Sequence, residues 1–229
     1  MTEALKPKPR VKICGLRDAA VVRAMDGLPV DEIGFLFAKS KRQVTPQQAG
    51  ELIAEVRRLR KPDGTAPRTV GVFVDPTLER VREVLAAAPL DVVQLHGSED
   101  PGLCAAIKRE FGVDVWKVLS VGGDAGSERE EAALARLEAF RGTVDAVLID
   151  TAGGGTGKTF AWELIPGYIE AAERIGVPLY AAGGLHPGNV GELLERYAPS
   201  GVDVSSGVET DGAKDMEKIR KFVERVKRA

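Results

Sequence analysis

Disulfides cannot shape this chain. Among 229 residues there are two cysteines, Cys14 and Cys104, too few for a disulfide framework. Free thiols persist in a reducing compartment, so a cytoplasmic protein is expected. No apolar run approaches the ~18–20 residues of a membrane span, and no membrane partner is expected. The opening stretch MTEALKPKPR has no apolar core of the kind a secretory signal needs. Residues 1–10 are read as a flexible leader and 11–229 as one domain. With 32 basic and 34 acidic side chains the net charge is −2, which gives no overall attraction to nucleic acid. Also missing are a cluster with metal-ligand spacing and a nicotinamide fingerprint. Neither a metal nor a redox cofactor is implied.

What is present is a regular alternation. Short apolar runs at 11–14, 32–37, 69–74, 92–95, 114–119, 145–150, 178–182 and 202–205 read as strands. Between them lie helical patterns, several with explicit start signals. Asp18 can cap a helix over 19–28. Thr45-Pro46-Gln47-Gln48 combines an N-cap, a first-turn proline and a capping glutamine. Asp75-Pro76 and Asp100-Pro101 repeat the cap chemistry, and Ser127-x-x-Glu130 is a capping box opening a helix to Phe140. Helices over 162–175, 187–197 and 215–228 complete the set. Strands that alternate with helices argue a parallel sheet. Eight units at nearly constant spacing favour closure into a single-domain (β/α)8 TIM barrel, with a doubly wound open sheet as the alternative.

In such a barrel the chemistry gathers at the carboxyl ends of the strands. Cys14 and Asp150 sit at two of these ends, and a thiol facing a carboxylate across the mouth would make an acid/base pair. The thiol suits a base if nearby positive charge lowers its pKa. The bland readings are a core cysteine and a turn-capping aspartate. Gly155-Thr156-Gly157, Gly183-Gly184 and Ser205-Ser206-Gly207 follow three successive strands and would grip a phosphate group with backbone N–H groups and hydroxyls; otherwise they are glycines of tight turns. Arg42 offers a planar fork for a carboxylate or phosphate, or else is a solvated surface charge. His96 reads as structural and Cys104 as helix packing. Residues 152–159, AGGGTGKT, approach a nucleotide-binding P-loop. They begin with alanine, however, and form the sixth of eight similar units, which argues against nucleotide hydrolysis.

The motifs KICGLRD (12–18), GFLFAKSKRQV (34–44), VGVFVD (70–75), QLHGSE (94–99), LIDTAGGGTGKTF (148–160), AGGLHPGNV (182–190) and DVSSGVE (203–209) occur in this order. Together they resemble the phosphoribosylanthranilate isomerase family of tryptophan biosynthesis, over nearly the whole chain after the leader. The resemblance implies an aldose–ketose isomerase acting on a small phosphosugar, without cofactor or metal. It implies an Amadori rearrangement of N-(5-phosphoribosyl)anthranilate to 1-(2-carboxyphenylamino)-1-deoxyribulose 5-phosphate. By similarity Asp150 is the general acid, Cys14 the general base, Arg42 the ligand of the anthranilate carboxylate and Asp203 a carboxylate near the substrate. The glycine and serine loops match the family's phosphate grip. An aspartate usual after the GTGKT loop is replaced by Ala161, and the segment from Asp150 to Gly155 is short. The state of assembly is left as monomer or homodimer. A related histidine-pathway isomerase is the main alternative; its chemistry is commonly run by two aspartates, against which Cys14 argues.

Overall fold

The computed structural model describes residues 8–121, 127–151 and 162–229. Eight strands close into a parallel barrel in sequence order, β1 pairing with β8 to seal it. The open-sheet alternative is therefore excluded. The strands are β1 (Arg10–Cys14), β2 (Glu32–Leu36), β3 (Arg68–Phe73), β4 (Val92–Leu95), β5 (Asp114–Val121), β6 (Ala146–Thr151), β7 (Leu179–Ala181) and β8 (Gly201–Val204). The helices are α1 (Ala19–Arg23), α2 (Pro46–Val56), α3 (Leu78–Ala87), α4 (Pro101–Phe111), α5 (Ser127–Glu138), α6 (Ile165–Ile175), α7 (Val190–Tyr197) and α8 (Met216–Arg228).

The cap signals work as the side chains suggest, with one exception. Asp18, Thr45, Asp100 and Asp215 each accept backbone N–H bonds at the start of their helices, and Thr45 with Gln48 forms the complete capping box. Asp75 does not begin α3. Its backbone turns left-handed at φ 45°, and its carboxylate accepts from Ser98 instead, so Thr77 takes the cap. Helix α1 is shorter than expected, ending at Arg23 before a turn. Helix α7 starts at Val190 rather than 187. The capping box expected at Ser127 and Glu130 rests on side chains outside those described.

Alternation along the strands divides the core in two. Outward residues such as Ile13, Phe35, Val93, Ile149 and Val202 pack under the helices. Inward residues Val70, Val92, Trp116, Val118, Leu148 and Tyr180 fill the barrel itself. Trp116 and Tyr180 pack with centroids 4.6 Å apart and ring planes tilted by 36°, and Gly201 leaves room for the tyrosine, since a Cβ there would lie 2.5 Å from its ring. The barrel is thus plugged at one end by side chains and open at the other. Beyond β8, a 3-10 turn at Ser206–Val208 leads to a small antiparallel hairpin of β9 (Glu209–Thr210) and β10 (Ala213–Lys214). Sequence periodicity did not anticipate this hairpin. No helix among the described residues is long and apolar enough to cross a membrane.

Candidate active site

Inward positions at the open end carry the polar groups. Cys14, Gln94, His96, Ser120, Asp150 and Asp203 line one cavity of about 370 Å³, which Leu36, Val72, Val74 and Arg42 also line. Seven strand ends, far apart in sequence, contribute to it.

Cys14 ends β1 and is 6% exposed. Its neighbour on β2 is glycine for a reason: a Cβ on Gly34 would sit 2.7 Å from the sulfur. Two residues earlier on the same face, Lys12 is wholly buried. Its Nζ lies 3.0 Å from Asp203 Oδ2 but is not aligned for a hydrogen bond with any described residue. Burial opposes charge on Lys12, yet Asp203 and Cys14 more than offset it, so the lysine stays an ammonium. The positive neighbours expected for the thiol are present in Lys12 and Lys214. Burial nonetheless outweighs them, and the Cys14 pKa is raised. The conditional expectation of a lowered thiol pKa is therefore corrected: desolvation wins at this buried position.

Asp150 ends the axial face of β6. Burial, helped by the nearby Asp203 charge, pushes its carboxyl up to about 6, against the opposing pull of the Thr151 backbone N–H and Lys12. A carboxyl of that strength keeps a useful protonated fraction near neutral pH. His96 Nε2 stands 3.6 Å from Asp150 Oδ2, too far for a hydrogen bond. Burial and the Lys12 charge lower the imidazole pKa, which favours the neutral ring.

Gly183, Gly184, Ser205 and Ser206 line a smaller cleft together with Asp150 and Asp203. Gly183 has φ +85°, and a Cβ there would lie 2.2 Å from Thr151 Oγ1 and 2.9 Å from Asp150 Oδ1. Only glycine lets this loop pass so close to the acid. Gly207 sits behind: a Cβ there would be 1.8 Å from the Leu185 carbonyl oxygen, so close loop packing already demands glycine. Gly155, Thr156 and Gly157 lie outside the described residues, as do the P-loop-like stretch 152–159 and Ala161.

Arg42 is not a solvated surface charge; it is 6% exposed. Its Nε donates to Glu209 Oε1 at 2.7 Å and its Nη2 to Oε2 at 2.8 Å. Lys214 Nζ donates to Glu209 Oε1 at 2.9 Å and to the Ser205 carbonyl at 2.8 Å. Burial alone would raise the Glu209 carboxyl, but these hydrogen bonds prevail and hold it at about 2. Lys12, Gly34, Glu209 and Lys214 were not singled out as site residues in the sequence. One signal was available for the last two: Asp211-Gly212, with φ 51° and 77°, is the Asp-Gly pair of a tight hairpin turn, and it places β9 and β10 beside the mouth.

Similarity to known proteins identifies the family. The profile of the family described as N-(5'phosphoribosyl)anthranilate (PRA) isomerase matches residues 11–225. A Brevibacillus brevis protein named N-(5'-phosphoribosyl)anthranilate isomerase is 48% identical over 222 residues, spanning 95% of this chain and 93% of the relative. A crystal structure of monomers generated from the dimeric phosphoribosylanthranilate isomerase of Thermotoga maritima superposes with TM-score 0.76 at 32% identity, covering 96% of this chain and all of that one. A phosphoribosylanthranilate isomerase in complex with reduced 1-(o-carboxyphenylamino)-1-deoxyribulose 5-phosphate superposes with TM-score 0.74 at 32% identity, over 96% of this chain and 100% of that one. The chain belongs to the N-(5'-phosphoribosyl)anthranilate isomerase family.

Proposed function

We propose that Asp150 and Cys14 run the isomerisation characteristic of this family, converting N-(5'-phosphoribosyl)anthranilate to 1-(2-carboxyphenylamino)-1-deoxyribulose 5-phosphate in tryptophan biosynthesis. The observation that carries the assignment is the presence of a buried thiol and a carboxyl with a raised pKa in one cavity, at the carboxyl ends of β1 and β6. Protonated Asp150 gives its proton to the furanose ring oxygen. The C1–O bond breaks and a Schiff base forms between C1 and the anthranilate nitrogen. Cys14, as thiolate, then removes the proton from C2. The electron pair released moves into C1–C2, and an enolamine results. Protonation at C1 and loss of the hydroxyl proton at O2 give the ketone. C2 is oxidised and C1 reduced within one molecule, so the electrons balance without an external acceptor.

The remaining groups divide the substrate between them. Gly183, Gly184, Ser205 and Ser206 take the phosphate, with Gly155, Thr156, Gly157 and Gly207 as further members of that grip. Among the described residues the Gly183 and Gly184 N–H groups have no hydrogen-bond acceptor, which suits a dianion. Arg42 meets the ring carboxylate, and Leu36, Val72 and Val74, which line the same cavity, offer apolar surface for the ring. Lys12 stays charged beneath Cys14 and favours its thiolate over a bare apolar setting. Asp203 holds Lys12 in place. The catalytic unit is residues 11–229, working in the cytoplasm as a monomer or homodimer; the dimeric Thermotoga maritima relative supports the second.

The test is loss of fluorescence of freshly generated phosphoribosylanthranilate on adding purified protein without metal or nucleotide. Rapid loss that disappears in Asp150→Asn supports both the reaction and its acid. A folded protein that leaves the signal unchanged refutes the assignment.

A further inference from the structure

The Arg42 guanidinium has two edges that can each hold a carboxylate, and the protein occupies one of them. Glu209 takes the side edge, Nε and Nη2. Among the described residues, no acceptor is bonded to Nη1. Both partners are 7% exposed at the side chain, which makes this a sequestered, two-point pair rather than a solvated contact. Lys214, 5% exposed at its side chain, also donates to Glu209 Oε1 and ties the hairpin to Ser205. Gly15 confines the arginine stem, since a Cβ there would lie 2.7 Å from Arg42 Cδ. Two cations share one anion, so the cluster keeps a net charge of +1 at the cavity wall.

We propose that Glu209, braced by Lys214, is a positioning residue that fixes Arg42 side-on and reserves its remaining edge for the aryl carboxylate, thereby setting the preference for an anthranilate over an aniline. The inference rests on the reading above that Arg42 is the carboxylate ligand. Glu209 could instead have been an internal competitor that the substrate must displace. Edge usage argues against this, because a planar guanidinium can hold two carboxylates at once, one on each edge. Holding the side chain in one orientation also removes rotamer entropy that binding would otherwise have to overcome.

The experiment compares two inhibitors: the reduced product, and its counterpart without the ring carboxylate. Their inhibition constants are measured for the unaltered protein and for Arg42→Ala, Glu209→Gln, Glu209→Asp and Lys214→Met. The unaltered protein prefers the carboxylate form, and Arg42→Ala removes that preference. Glu209→Gln cuts it about tenfold while binding of the decarboxylated form changes little, and Glu209→Asp and Lys214→Met reduce it in part. Should Glu209→Gln fail to fold, the aspartate variant, which keeps the charge, reads the same quantity. Two results overturn the proposal: equal weakening of both inhibitors in the Glu209 variants, as a purely structural role predicts, or tighter binding of the carboxylate form, as a competitor predicts. A preference that survives Arg42→Ala refutes the carboxylate reading itself, and this inference with it.

Discussion

Single side chains set the protonation states in this cavity. In the mechanism proposed above, Asp150 acts protonated and Cys14 ionised. The carboxyl titrates at about 6 and the thiol above its ordinary range. Below pH ~6, raising the pH creates thiolate without losing acid, so kcat/KM climbs. Above it, each gain in thiolate is matched by a loss of protonated Asp150, and the profile flattens. Asp150→Asn should remove the inflection near 6 along with about 10²–10⁴-fold of kcat. Cys14→Ala should lose kcat on the same scale while still binding the reduced product. A pH–rate series on the three proteins checks this; an inflection near 6 that persists in Asp150→Asn assigns it to another group.

At the scale of elements, caps and turns hold the strand ends in place. Thr45 and Gln48 complete a reciprocal cap on α2. Thr45→Ala should cost about 1 kcal/mol of stability in urea denaturation and leave KM unchanged. The β9–β10 turn behaves differently. Gly212 has φ +77°, where a side chain costs roughly 1–2 kcal/mol. Gly212→Ala should loosen the hairpin that carries Glu209 and Lys214, so a raised KM is expected with kcat little changed. Equal KM in this variant and the unaltered protein would detach the hairpin from substrate recognition.

The whole barrel has a pH dependence of its own, set at the closed end. Glu32 is fully buried there, paired with Arg10 and accepting from Tyr180 Oη at 3.1 Å. Burial pushes its carboxyl from 4.5 up to about 7 despite the Arg10 charge. The folded state therefore holds a proton that the unfolded chain has lost between these values. Its contribution is complete below about 4.5 and disappears as pH rises through about 7. The full effect is on the order of 3 kcal/mol. Glu32→Gln should flatten the fall in denaturation free energy across that interval. A fall that persists in the variant places the responsible group elsewhere.

Much of the architecture was written in local patterns. Short apolar runs and capped amphipathic helices act over a few residues, and their regular succession is enough to specify eight parallel strands. The cap at Asp100 and the box at Thr45 could be read in the same way, because each is completed within four residues. Asp75 could not: its carboxylate is claimed by Ser98, 23 residues away. The cavity lining was legible where a motif ends a strand, as at Cys14 and Asp150. It was illegible where partners meet only through closure. The Lys12–Asp203 pair exists because β1 lies beside β8 in register. Arg42 and Glu209 meet across 167 residues. The sequence by itself determined the strand–helix order, the thiol, the carboxylate and the glycine loops, since these depend on residue type and spacing. Only the closed barrel decided that the thiol is desolvated, that Asp150 is a weak acid and that Arg42 is held by one edge, because burial and charge pairing depend on neighbours that folding alone brings together.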